Sequence, residues 1–202
     1  MSKRAYEMLI LDEEFWNSRY ENGYTGWDLG SPSPPLYQYL CQIESKEIEV
    51  LIPGAGNGYE VVAALELGIK NVHLLDIALT PIVQFLKSNP LFPKSQVHHQ
   101  DFFDHEGKYD LILEQTFFCA LDPSLRSSYA KKMHHLLKPA GKLVGVLFDR
   151  EFAGGPPLGG TAKEYQAYFL PYFKIEKFEP CYNSVGPRKG SELFMIMKRL
   201  DV

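Results

Sequence analysis

Cysteine is scarce. The 202-residue chain has three, Cys41, Cys119 and Cys181, too few and too scattered for a disulfide framework or a zinc cluster. An excess of one charge is also lacking, since 21 Lys+Arg against 25 Asp+Glu leave a formal charge of −4. No basic block exceeds a pair such as Lys131-Lys132 or Arg188-Lys189, so no cationic stripe is available to neutralise phosphates, and nucleic acid is not an expected partner. Long apolar runs are missing too. Nothing reaches the roughly 18 residues of a membrane span. Met1 to Glu14 mixes Lys3 and Arg4 with Glu7, Asp12, Glu13 and Glu14 where a signal peptide would need an apolar core. There is no internal repeat and no low-complexity segment. The expectation is a soluble, monomeric, single-domain protein of a reducing, cytoplasmic compartment, holding no metal.

What the chain does have is alternation. Ile48 to Ile52 is a nearly unbroken apolar run, as in a strand buried on both faces of a parallel sheet. Tyr59 to Leu67 has helical spacing and stops at Gly68. Val72 to Leu75 reads as the next strand. Thr80-Pro81 offers an N-cap and a first-turn proline for a helix to about Lys87. Strands follow near Gln96–His99 and Tyr109–Leu113. A helix capped by Asp122 should run from Pro123 to Leu137 and end at Lys138-Pro139 and Gly141. Leu143 to Phe148 is a further strand. Thr161 and Glu164 make a capping-box pair for a helix to about Phe169. Lys174–Phe178 and Glu192–Met197 are final strands with no room for a crossover helix, so they should pair antiparallel. The pattern is a doubly wound α/β sheet. Residues 1–45 stand apart as an N-terminal appendage, with Phe15, Trp16, Tyr20, Tyr24 and Trp27 ahead of Ser31-Pro32-Ser33-Pro34-Pro35.

The first strand runs into Gly54-Ala55-Gly56-Asn57-Gly58-Tyr59 and a helix, at the carboxyl end of the sheet where open α/β folds bind ligands. Glycines let backbone approach a ligand that a Cβ would exclude. A dinucleotide fingerprint would place its third glycine at 59, where Tyr59 stands. The spacing present, Gly-x-Gly-x-Gly, is the variant associated with S-adenosylmethionine (SAM). Asp76 closes the second strand 22 positions after Gly54 and can accept both ribose hydroxyls. Asp101-Phe102 follows the third strand, where an acid and an aromatic can hold adenine by its amino group and its face. Each feature alone is commonplace; three at successive strand ends point to a nucleoside cofactor.

At this level of detail the chain resembles the SAM-dependent thiopurine S-methyltransferase family, and especially its halide/thiol methyltransferase branch. The resemblance runs from about Phe15 to Lys198. Its most specific stretches are Trp16 to Gly30, Phe117-Phe118-Cys119-Ala120 with Pro123 and Arg126, Gly154-Gly155-Pro156-Pro157, and Arg188-Lys189-Gly190. The resemblance implies a Rossmann-like sheet of seven strands ordered 3-2-1-4-5-7-6 with strand 7 antiparallel. It implies an N-terminal helical lid (1–45) over a methyltransferase domain (46–202). Trp16, Tyr20 and Trp27 match the family's cofactor-contacting aromatics, and aromatic faces attract a cation such as a sulfonium by roughly 0.5–2 kcal/mol. Tyr20 replaces a Trp of the halide/thiol branch. Gln115 stands where that branch has Tyr and thiopurine enzymes have Arg, so the acceptor is left open by the motif itself.

The implied reaction is transfer of a methyl group from SAM to a small soft nucleophile, a thiol or hydrosulfide, with halide or thiopurine behind. The candidate cofactor residues are Trp16, Tyr20, Trp27, Gly54, Asp76, Asp101, Phe102 and Gln115; the candidate acceptor pocket is Gln115, Phe117 and Phe118. Glu114 is either a cofactor contact or a cap. His98-His99 and His134-His135 read as solvated or core, and Arg126 as a brace for the helix after the fourth strand. Two other readings stand beside this one: an enzyme for an O- or N-acceptor, and a non-catalytic SAM-binding protein. An NAD-dependent reductase is disfavoured by Tyr59, and a DNA amino-methyltransferase by Glu114-Gln115-Thr116-Phe117 where Asp/Asn-Pro-Pro-Tyr would be needed.

Overall fold

The computed structural model describes residues 10–202; residues 1–9, the start of the 1–45 segment, lie outside the described residues. Seven strands form one sheet: β1 (Val50–Pro53), β2 (Val72–Asp76), β3 (Val97–His99), β4 (Tyr109–Gln115), β5 (Leu137–Phe148), β6 (Phe173–Pro180) and β7 (Glu192–Arg199). Their order is β3-β2-β1-β4-β5-β7-β6. β1 to β5 pair in parallel, whereas β7 runs antiparallel to both β5 and β6. The expected order and the antiparallel terminal hairpin are both present.

Among the described residues six α-helices cover the sheet: α1 (Glu13–Glu21), α2 (Pro34–Cys41), α3 (Tyr59–Glu66), α4 (Leu79–Ser88), α5 (Arg126–Leu136) and α6 (Ala162–Phe169). Alternate residues of each buried strand feed opposite cores. Val50, Ile52, Leu74, Leu111 and Leu113 meet α2, α3 and α4 through Leu36, Leu40, Val61, Ala64, Ile82 and Phe85. Leu51, Leu75, Ile112 and Leu143 meet α5 and α6 through Tyr129, Met133, Tyr165 and Phe169. The crossover from β1 to β2 therefore lies on one face and that from β4 to β5 on the other. The adjacent strands β1 and β4 diverge at their carboxyl ends, which opens a crevice there.

Three local expectations are corrected. Thr80 is not the cap of α4: Ala78 holds that position without a side-chain bond, and the Thr80 N–H instead donates to Asn17 Oδ1 of α1 at 2.9 Å. Asp122 does cap, but it caps a 3-10 turn at Pro123–Leu125, and the α-helix starts only at Arg126. The helix does end before Lys138-Pro139, but the strand expected from Leu143 already begins at Leu137, opposite Tyr109, with Ala140 at φ 62° inside it. The capping box is half made. Thr161 accepts from the Glu164 N–H, while the Glu164 carboxylate pairs with Arg126. Among the described residues no helix is long and apolar enough to cross a membrane.

Candidate active site

The crevice is a cleft of about 410 Å³ over the ends of β1, β2 and β4, with α1 along one side. Its floor is the glycine loop. Gly54 and Gly56 both have positive φ, 60° and 52°. A Cβ on Gly54 would fall 2.5 Å from Phe117, and one on Gly56 would fall 2.6 Å from the Tyr20 hydroxyl. The loop is thus glycine because the chain must turn left-handed while aromatics press on it from both sides. Asp76 ties the loop to β2: Oδ2 accepts the Gly56 N–H and Oδ1 the Ala78 N–H, each at 2.8 Å. Burial pushes its carboxyl pKa upward, against those two donors. Asp101 and Phe102 stand together on the next wall, where Asp101 Oδ1 accepts the Phe103 N–H at 2.7 Å.

The end of β4 divides neighbouring side chains between two environments. Glu114, on the face of Ile112, is fully buried away from the cleft. Its Oε1 accepts the Phe118 N–H and its Oε2 the Tyr129 hydroxyl, each at 3.2 Å. Burial raises its pKa to about 8, and through the Phe118 N–H it acts as a cap. Gln115 points the other way and lines the cleft, with both Oε1 and Nε2 shielded and without a hydrogen-bond partner. Thr116 then adopts φ 57°, a conformation costly for a threonine, and this turn delivers Phe117 to the cleft.

Phe118 is a correction. It is not an acceptor-pocket residue but a fully buried core ring, 5.1 Å from Tyr129, 5.0 Å from Tyr165 and 5.5 Å from Phe169. Arg126 stacks over it at 5.0 Å and spends its guanidinium on Glu164 and on the Leu158 and Gly159 carbonyls. It therefore braces the loop that carries Pro156 and Pro157, which close the cleft from above. Cys119 is buried, with its thiol pushed up to about 12, so it supplies no nucleophile.

Trp16, Tyr20 and Trp27 form the third wall. Trp27 meets Trp16 edge-on at 5.4 Å and Tyr20 at 5.8 Å. The segment behind them is pinned to the glycine loop: Asp28 Oδ2 accepts from Asn57 Nδ2 and the Tyr59 hydroxyl, and Glu60 Oε1 accepts the Ser33 N–H. Every candidate except Phe118 lines this one cleft. Sequence reasoning missed Thr116, Leu121, Leu125, Pro156 and Pro157. Thr116 and the two prolines lay inside stretches already singled out; nothing local signalled the two leucines.

The histidines sit elsewhere. His98 pairs with His73 at 2.9 Å, His99 with Glu13 at 3.1 Å, His134 with the Leu200 carbonyl at 2.7 Å and His135 with Glu106 at 2.9 Å. Among the described residues none lines the cleft.

The strand order and the cleft at the carboxyl ends of β1 and β4 define a Rossmann-like fold with its ligand-binding edge open. The thiopurine S-methyltransferase family matches the chain over residues 11–198. A probable thiol methyltransferase 2 of Arabidopsis thaliana is 36% identical over 184 residues, covering 88% of this chain and 81% of that protein. Thiocyanate methyltransferase 1 of Brassica oleracea is 30% identical over 198 residues, covering 95% and 87%. Among solved structures, the Burkholderia thailandensis 1,6-didemethyltoxoflavin-N1-methyltransferase, with bound S-adenosylhomocysteine (SAH), superposes with a TM-score of 0.74. It is 19% identical and covers 94% of this chain and 87% of that one. The chain belongs to the thiopurine S-methyltransferase family. It is a SAM-dependent methyltransferase. The residues present fit that cofactor: the amide of Gln115 lines the cleft without a protein partner, so both its donor and its acceptor are free for a polar ligand group.

Proposed function

We propose that this enzyme methylates a small soft nucleophile, first a thiol or hydrosulfide, with halide second. The observation that carries this is the make-up of the acceptor wall: Phe103, Phe117, Leu121, Leu125, Pro156 and Pro157 surround it, while the histidines are engaged elsewhere. The cleft carboxylates Asp12, Asp101 and Asp122 each cap a backbone N–H. An oxygen or amine acceptor would need a base to take its proton. A thiol ionises near pH 8.5 unaided, and an apolar wall desolvates a soft anion at low cost. The name of the Arabidopsis relative points the same way.

Bound SAM supplies an electrophilic methyl group on a sulfonium sulfur. In this reading Asp76 accepts the ribose hydroxyls, Asp101 and Phe102 hold adenine, and Gln115 with the Gly54 backbone binds the amino-acid end. Trp16, Tyr20 and Trp27 face the sulfonium. α1 and the turn to Trp27 act as a lid that excludes water. Alignment of acceptor and methyl carbon supplies most of the rate, on the order of 7–11 kcal/mol.

An acceptor panel read by mass spectrometry tests this. Thiols should be methylated, with a rate that rises with pH toward the thiol pKa, and iodide should lack that limb. Efficient methylation of a catechol, carboxylate or amine with every thiol inert would overturn the acceptor and leave the cofactor.

A further inference from the structure

Trp16 and Trp27 are the only tryptophans of the chain, and both line the cleft. Trp27 is the ring against which Trp16 and Tyr20 both pack, so its placement sets the whole aromatic wall. α1, which carries the other two rings, buries no residue of its own. Trp27 is held from the far end of the chain. Arg188 lies in the short 3-10 turn between β6 and β7, and its Nη2 donates to the Trp27 carbonyl at 2.5 Å. Its Nη1 donates to Glu192 Oε1 at 3.2 Å, and the guanidinium stacks 5.2 Å from the Phe148 ring.

Arg188 and Glu192 are 7% and 4% exposed. Such a pair is a weak source of stability, because the cost of desolvating two charges offsets their attraction. Its value lies in what the guanidinium holds. Arg188 itself does not line the cleft, so it touches neither cofactor nor acceptor. A planar fork can grip a carboxylate and a carbonyl together with fixed geometry, which an ammonium cannot do.

We propose that Arg188 is a positioning residue for methyl transfer: clamped by Glu192 and Phe148, it fixes the Trp27 backbone so that the indole stays over the cofactor side of the cleft. The proposal rests on the reading that SAM occupies the cleft beneath these aromatics. With Trp27 fixed, Asp28 bound to Asn57 and Ser33 bound to Glu60, the stretch from Trp27 to Ser33 is an anchor, and α1 is the part free to move against it.

The test compares Arg188→Met, Arg188→Lys and, as a neighbouring-charge control, Lys189→Ala in the full chain. SAH binding is followed by calorimetry and by tryptophan fluorescence, which reports the two site indoles alone. Arg188→Met should weaken SAH at least tenfold, raise the KM for SAM by a similar factor, leave the acceptor KM within about twofold and abolish the fluorescence response. Arg188→Lys should recover part of the affinity, and Lys189→Ala should match the wild type. Should Arg188→Met not fold, arginine side-chain NMR of the wild type decides. A restricted guanidinium assigned to Arg188, distinct from that of Arg126, supports the proposal, and a freely rotating one overturns it. Wild-type-like SAH affinity and fluorescence in folded Arg188→Met would overturn the proposal alone; a wild type that binds no SAH would overturn the reading of the cleft as well.

Discussion

Helices α1 and α2 come from one aromatic- and proline-rich segment, yet they are attached to the molecule by different physics. α2 buries Leu36 and Leu40 completely, four residues apart on one face, against α3 and the sheet. α1 buries nothing completely. Beside the half-buried contacts of Trp16 and Tyr20 with Trp27, its ties are polar: Asn17 to the Thr80 N–H and Glu13 to His99. Water can replace such hydrogen bonds at a net cost of about 0.5–1.5 kcal/mol each, whereas it cannot replace a buried leucine contact. Segments with few buried contacts open first. The comparison teaches that residues 10–45 divide: α2 belongs to the core, and the proposed lid shrinks to α1 with the turn to Trp27.

The sharpest way to break that division is Leu40→Ala. Truncating a fully buried leucine should cost about 2–5 kcal/mol in denaturant unfolding. SAH affinity measured on the folded protein should stay unchanged. If affinity fell while stability held, α2 would belong to the lid. The next effect in size is at the floor of the cleft. Asp76→Asn keeps an acceptor for one backbone N–H but removes the charge offered to the ligand hydroxyls. A hydrogen bond to a charged group contributes about 1.5–3 kcal/mol, so SAM should bind at least tenfold more weakly by calorimetry with the fold intact. Equal affinity in the two proteins would remove Asp76 from the site.

Much of this architecture was legible because its signals are local. The Gly54–Gly58 spacing, the acid at the end of β2 and the short link between β6 and β7 each require only a few residues and a turn rule. Phe118 was misplaced because two adjacent phenylalanines after a strand look alike. Which one faces the cleft depends on the left-handed turn at Thr116, and nothing in the sequence marks a threonine for φ 57°. Thr80 had the right composition for a cap, but the acceptor came from Asn17, 63 residues earlier. Arg188 sat inside a motif of the resemblance with no role attached, since its partner Trp27 is 161 residues away. The burial of α2 was legible in principle from Leu36 and Leu40, but the prolines and aromatics around them drew the whole segment into one appendage.

The smallest effect probes the tie between α1 and α4. Ala78 gives α4 no side-chain cap, and Asn17 Oδ1 accepts the first-turn N–H of Thr80 in its place. Removing a capping acceptor costs about 1 kcal/mol. In Asn17→Ala that cost falls on the closed position of α1, because the Thr80 N–H can find water once α1 lifts away. A loss of 1 kcal/mol multiplies the population of an open state roughly fivefold. Amide exchange from Glu13 to Gly26 in the ligand-free protein should therefore accelerate by about that factor, while the anchored amides from Trp27 to Ser33 and those around Leu36 to Leu40 keep their wild-type rates. SAH should slow exchange from Glu13 to Gly30 in both proteins, since the ligand adds contacts that only the closed position makes. If the two helices accelerated together, the segment would open as one unit, and the distinction between a packed α2 and a latched α1 would fail.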